Sequence, residues 1–253
     1  MKKTMMFIVL LNAAASAVAE DKLTLSTGFD YSSGKYGTAT STDILYIPFT
    51  AKYKVSENLT AKLTASYIEM TSNGNFIPGV GVVAGTSNVR TTQSGIGDTI
   101  AAADYTLYAV NKLMIDAVGK IKFGTADANK GLGTGKNDYS AQIDVYRLAA
   151  RNTTLFGTVG YKVVGTPDAS ITPYGNEYFG TLGVNQRLDS ENSAGVMLDY
   201  SQSPVASSEP MRDLTVYATH RLNTWLKLQA DLRKGLSNGS ADYGGGMALL
   251  GSF

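Results

Sequence analysis

The stretch KLMIDAVGKIKF, Lys112 to Phe123, alternates with a period of two. Leu113, Ile115, Ile121 and Phe123 fall in one register, and Asp116, Lys120 and Lys122 fall in the other. Successive side chains of a β-strand point to opposite faces, so this segment reads as a strand with one apolar face and one ionised face. Which surroundings such a strand suits depends on its neighbours.

The same pattern recurs in about twelve segments, at 22–31, 43–55, 59–70, 98–107, 112–123, 138–147, 154–163, 177–188, 193–201, 213–221, 225–234 and 242–253. Leu25, Phe29, Leu45, Ile47, Phe49, Leu63, Leu226, Leu228 and Leu232 continue the apolar register. Charges enter that register only at strand ends, as at Glu69, Arg147, Arg212 and Lys234. A charge facing lipid costs roughly 2–4 kcal/mol at mid-membrane and much less near the interface, and the pattern obeys that depth rule.

A secreted β-sandwich would alternate too, but three features favour a membrane barrel. Aromatics cap the apolar register at both ends: Tyr31, Tyr67, Phe123, Tyr139, Tyr161, Tyr178 and Tyr200 towards long connections, and Tyr53, Tyr105 and Phe253 towards short ones. Two such belts suit the two surfaces of a bilayer. Short and long connections alternate along the chain, as in barrels with periplasmic turns and extracellular loops. Phe253 closes the sequence in the apolar register and is expected to act as an assembly signal for barrel-assembly machinery. The expected fold is all-β: an up-and-down transmembrane antiparallel β-barrel of about twelve strands, with short periplasmic turns and longer extracellular loops.

The N-terminus, MKKTMMFIVLLNAAASAVAED, has a charged start, a short apolar core and Ala17-Val18-Ala19 before a cleavage point. It reads as a signal peptide over 1–19, leaving a barrel domain over 20–253 in the outer membrane of a Gram-negative cell. Losing Lys2 and Lys3 takes the formal charge from +1 (22 against 21) to −1 (20 against 21), which suggests no nucleic-acid partner. Without cysteine, neither a disulfide nor a thiolate metal site is available. No second apolar run of about eighteen residues exists, which excludes a helical membrane protein.

One motif argues for different chemistry. KGLGTGKND, Lys130 to Asp138, looks like a phosphate-binding loop. That loop needs four residues before its Gly-Lys and a hydroxyl after it. Only three separate Gly131 from Gly135, and Asn137 follows Lys136. The next residues, DYSAQIDVY, alternate as a strand where a phosphate cradle needs a helix. The stretch is therefore expected to be an extracellular hairpin loop. His220, the single histidine, lies in the apolar register with Leu214, Val216 and Ala218, away from any cleft where a serine nucleophile or a metal would need it. Neither an enzyme, a metal nor a cofactor is expected.

SGIGDT (94–99), KFGTADANKGLGTGKNDYS (122–140) and LFGTVGYKV (155–163) resemble the outer-membrane family labelled as the MetA pathway of phenol degradation. The resemblance runs from roughly Ser94 to the C-terminus. It implies a barrel that takes up small aromatic or other hydrophobic compounds, and fixes no substrate residues.

The register then assigns the lumen. Lys52, Lys62, Asp104, Asp116, Lys120, Lys122, Asp144, Lys162, Arg187, Asp199, Arg221, Lys227, Asp231 and Arg233 are expected to line it. They form either a cross-strand salt-bridge lattice that fills a narrow barrel or a pore whose periplasmic end favours anions. Asp144, with Asp98, Asp199, Asp213 and Asp231, is placed towards the long loops. Tyr46, Tyr146, Phe156, Phe179 and Tyr217 also point inward and either fill space or stack on a solute. NFIPGVGVVAG, Asn75 to Gly85, is apolar within the longest expected loop. An exposed apolar run is unfavourable, so Phe76, Ile77, Val80, Val82 and Val83 are expected to fold inward as a constriction or pack on other loops, with a partner-binding loop as the competing reading. The expected function is passive passage of small solutes, possible aromatics included, between outer-membrane lipid walls. The alternative is a largely plugged barrel with a structural or surface-interaction role.

Overall fold

Leu25, Phe29 and Tyr31 of the first strand are exposed, whereas Asp30 between them is buried. This two-residue rhythm runs around the whole molecule. The computed structural model describes residues 22–74, 76–78, 80–83, 89–167, 174–206 and 208–253, and the expected signal peptide lies outside them. The strands are β1 (Leu23–Gly34), β2 (Thr42–Lys54), β3 (Leu59–Ser72), β4 (Phe76–Ile77), β5 (Gly81–Val82), β6 (Thr91–Ile96), β7 (Thr99–Val110) and β8 (Leu113–Phe123). They continue as β9 (Asp138–Ala150), β10 (Thr153–Val163), β11 (Glu177–Arg187), β12 (Asn192–Ser201), β13 (Met211–Arg221), β14 (Leu226–Gly235) and β15 (Tyr243–Ser252).

Thirteen of these strands form one antiparallel sheet that returns on itself, β1 pairing with both β2 and β15, and β3 with both β2 and β7. Because β6 and β7 share one place beside β3, the closed wall has twelve positions. Closure pairs the backbone groups of every strand with those of a neighbour, the condition for strands to cross a bilayer where no water can satisfy an edge.

The outer face is apolar and exposed, as at Phe49 (56%) and Leu182 (68%). The inner face holds most of the buried charges, so the distribution is the reverse of a water-soluble core. Outward aromatics Tyr31, Tyr67, Phe123, Tyr139, Tyr161, Tyr178 and Tyr200 lie towards the long connections, and Tyr53, Tyr105 and Phe253 towards the short ones. Outward charges stand at strand ends, with Glu69, Arg147, Arg212 and Lys234 all exposed.

The connections at 55–58, 111–112, 151–152, 188–191 and 222–225 are short and share one end with Leu23 and Phe253. Asn111 adopts φ 57°, the left-handed backbone that a tight two-residue hairpin requires. Asp189 accepts from the backbone N–H groups of Glu191 and Asn192, each at 2.7 Å, in the 188–191 turn. Those bonds, led by the Asn192 side chain, hold its carboxyl below the usual range.

The wall is irregular at Gly97 and Asp98. Thr64 and Ile68 of β3 face Ile100 and Gly95, so four steps on one strand match five on the other. This is a β-bulge. A side chain at Gly97 would meet Ser66 Oγ at 2.4 Å, so the bulge needs glycine there. The sequence reading began this strand at 98. In the structure the same stave starts earlier, with β6.

Candidate functional site

At the long-loop end, two connections turn into the barrel. Leu132, in the β8–β9 connection, is fully buried, and a Cβ on Gly95 of the wall would stand 3.0 Å from its side chain. Ile44, Ile68 and Met70 of the inner wall pack with Leu132, Ala126 and Phe76 into one apolar cluster, flanked by Tyr36, Tyr46 and Val82. The Tyr36 and Phe76 rings lie 4.8 Å apart. Burial pushes the Tyr36 hydroxyl well above its ordinary pKa, so it stays neutral. Phe76 and Val80 are buried and Ile77, Val82 and Val83 half-buried, in the segment carrying the small hairpin β4–β5. The segment both folds inward and packs on another loop. Of that run, Asn75, Gly79, Ala84 and Gly85 lie outside the described residues.

The β8–β9 connection joins two paired antiparallel strands, as a hairpin loop does. Its glycines do turn tightly, Gly131 at φ 68° and Gly135 at φ 67°. But the turns carry Leu132 down into the mouth. Charge fixes this connection at its root. Lys122 Nζ lies 3.2 Å from Asp98 and 3.0 Å from Asp138, and donates to Thr134 Oγ1 at 3.3 Å. Asp98 Oδ1 accepts the Ala126 N–H at 3.0 Å, while Asp138 Oδ1 accepts from Gly165 N at 3.0 Å. The bulge thus places Asp98 where it can hold both a wall lysine and the start of the inserted loop. Arg90 pairs with Asp43 at the end of the other inserted connection.

All the charged residues assigned to the lumen fall in the inner register, though Arg187 and Arg221 stand at its short-turn rim. Their arrangement differs between the two halves. Towards the long loops they form compensated groups: Lys122 with Asp98 and Asp138, Lys162 with Glu177 at 2.6 Å, and Arg233 with Asp30 at 2.9 Å. Asp199 accepts from Thr181 at 2.6 Å. Deeper in, Lys120 donates to Gln142 at 2.6 Å, and Gln142 donates onward to Asp144. Asp144, expected towards the loops, stands at the middle of β9 opposite Asp116 of β8. Lys52, Lys62, Asp104 and Asp116 there are half-buried.

Three of the five inward aromatics, Phe156, Phe179 and Tyr217, lie over glycines of the wall. A Cβ on Gly160 would meet the Phe179 ring at 2.3 Å, one on Gly183 the Phe156 ring at 2.3 Å, and one on Gly195 the Tyr217 ring at 2.4 Å. Each ring occupies the space left by an inward glycine on the neighbouring strand. Tyr217 is also held by its hydroxyl, which donates to Asn185 at 3.3 Å.

Sequence reasoning missed Leu132, although it is the one large apolar side chain between Gly124 and Asn137. It also missed the glycine seats, since alternation within a strand does not say what its neighbour places alongside. His220 is exposed on the outer face, its Nδ1 2.8 Å from Asn192 Oδ1. Among the described residues no group of three or more His, Cys, Asp or Glu side chains is placed to hold a metal. Phe253 is exposed at the short-turn end, paired through its backbone with Leu23 and packed 5.7 Å from the Trp225 ring.

No protein-family model and no curated protein matches the chain in sequence. Solved structures do match in shape. An outer-membrane channel from Pseudomonas putida F1 superposes with a TM-score of 0.73 at 13% identity, covering 95% of this chain and 98% of that one. The KdgM porin follows at 0.55 and 10% identity, covering 91% and 99%. The Pseudomonas putida toluene transporter TodX matches at 0.51 and 9% identity, covering 93% and 90%. At these identities the likeness is one of fold: this chain is built as outer-membrane β-barrels are.

Proposed function

We propose that the protein is an outer-membrane channel for the passive passage of small solutes, and that small aromatic or hydrophobic compounds are the class its mouth suits. The observation that carries this reading is a closed barrel that is apolar outside and ionised inside, with Ile44, Ile68, Met70, Phe76 and Leu132 packed together at one side of a mouth. An ionised wall has a use where solutes and water pass, and a mouth narrowed by apolar side chains admits rings more readily than hydrated ions. Resemblance of the chain from roughly Ser94 to the C-terminus to the phenol-degradation family, and the shared fold with channels, support the same reading. Export through the signal peptide, and insertion by barrel-assembly machinery acting on Phe253, would bring the long loops to the cell exterior and the short turns to the periplasm.

The test is conductance. Folded protein in planar bilayers should open ion-sized channels. A silent bilayer from protein that migrates as a folded, heat-modifiable barrel would support the alternative, a largely plugged barrel with a structural or surface-interaction role.

A further inference from the structure

Lys52 of β2 and Lys62 of β3 stand directly opposite one another on the inner face. Asp116 of β8 and Asp144 of β9 do the same. Like charges opposite each other on one sheet face oppose folding. The long-loop half has one such pair as well, Asp199 opposite Asp213, but its Lys122, Lys162 and Arg233 are each matched with a carboxylate. In the deeper half Lys52 and Lys62 form one like-charge pair and Asp116 and Asp144 another, with Lys120 held beside the acids through Gln142. Neither Lys52 nor Lys62 makes an ion pair or hydrogen bond with a described residue. Asp104, Asp116, Lys62 and Lys227 are the charged groups within electrostatic reach of Lys52.

Two aromatic rings face the lysines across the barrel, with Asn185 beside them. In a ring of twelve positions, β11 lies six places from β2, and β12 six places from β3. Those are the strands whose inward glycines, Gly183 and Gly195, are covered by the rings of Phe156 and Tyr217. The depth agrees as well. Lys62, Phe156 and Gly195 each stand three residues beyond the first residue of a strand rising from the short turns, Leu59, Thr153 and Asn192. The chamber therefore has two ammonium groups on one wall and two aromatic faces on the wall opposite. The carboxylates of Asp104, Asp116 and Asp144 occupy the strands between.

We propose that this chamber binds a small aromatic carboxylate, its anionic end between Lys52 and Lys62 and its ring against Phe156 and Tyr217. An anion between the two lysines offsets their mutual repulsion and forms charge-assisted hydrogen bonds. A ring packs on the two seated aromatics in an offset or edge-on arrangement. The acidic flank repels the carboxylate from the third side and so fixes the orientation. The proposal deepens the channel reading by naming a solute class, and rests on it only in placing the chamber along the path of passage.

The experiment is calorimetric titration of the folded full-length mature barrel in detergent at neutral pH, with benzoate as probe. Benzyl alcohol supplies the ring without the charge, and acetate the charge without the ring. Benzoate should bind at least about tenfold more tightly than either, and the double variant Lys52→Gln/Lys62→Gln should weaken benzoate about tenfold while leaving benzyl alcohol unchanged. Lys52→Arg/Lys62→Arg should keep benzoate binding, and it also tests the idea if the neutral variant fails to fold, since loss of binding in it would count against a simple cation pair. No benzoate binding by the wild type, or equal binding after Lys52→Gln/Lys62→Gln, overturns the proposal. In bilayers, silence together with lysine-dependent benzoate binding would sink the channel and keep the site. Conductance with no lysine-dependent benzoate effect would keep the channel and sink the site.

Discussion

A methyl group on Gly183 would stand 2.3 Å from the tip of the Phe156 ring, nearer than any carbon contact allows. Gly119, on the outer face, has nothing within 4 Å of where its Cβ would be. These two glycines have opposite consequences. Gly183→Ala should cost about 1–3 kcal/mol in urea unfolding of the lipid-reconstituted barrel and lower its conductance, because the Phe156 ring must tip towards the axis. Gly119→Ala should leave conductance unchanged and move stability by no more than about 1 kcal/mol, in the stabilising direction if it moves at all. Equal behaviour of the two variants would show that the ring is not seated on Gly183. The sequence told that Phe156 points inward, because its register is that of Thr154 and Thr158. It could not tell where the ring rests. That depends on the pairing of Phe156 with Gly183, a fact of inter-strand register that one strand's alternation does not contain.

At the scale of elements, the inserted β8–β9 connection is held by one apolar anchor and one ionic root. Leu132→Ala removes the anchor, a change that typically costs about 2–5 kcal/mol at a buried leucine. That loss falls on the docking of a connection, and the strand ladder is untouched. The expected result is a normal yield of folded barrel, a larger single-channel conductance and faster proteolysis within 124–137. Deleting 75–85 should raise conductance similarly, by taking away Phe76 and Val80. If both changes leave conductance as it was while binding to cells or another protein is lost, the two loops do not narrow the path. The apolar run was legible because five large apolar side chains in one loop are hard to leave in water. Leu132 was not. A single leucine among Gly, Thr, Lys and Asn reads as an ordinary surface residue. The bulge escaped for a related reason: β6, TTQSGI, is polar on both faces, so its strand character left no period to read.

For the whole molecule, the two-faced register was the legible part. Each strand repeats the same test of which side meets lipid, and a one-residue slip in any of them would invert it. Cysteines at Leu63, Ile115 or Leu228 should resist water-soluble thiol reagents in membranes, and those at Lys62, Asp116 or Lys227 should react. The reverse pattern would exchange lipid and lumen. Closure was legible only indirectly. Nothing within β1 or β15 alone says that they pair, and the alternating connection lengths supplied that step.

Where the ring closes, the last strand is almost bare on its inner side. Arg233 of β14 lies over Gly244, the Asp30 carboxylate lies over Gly246, and the two meet across β15 at 2.9 Å although 203 residues separate them in sequence. Bringing such distant segments together costs chain entropy before any contact compensates it. A sheet built only of sequential hairpins cannot contain this pair. It arises only when the first and last strands have found each other. The glycines of β15 thereby leave room for one buried charge-to-charge contact that exists only once the first and last strands are paired, so that this joint is stabilised by an interaction unavailable to sequential hairpins alone.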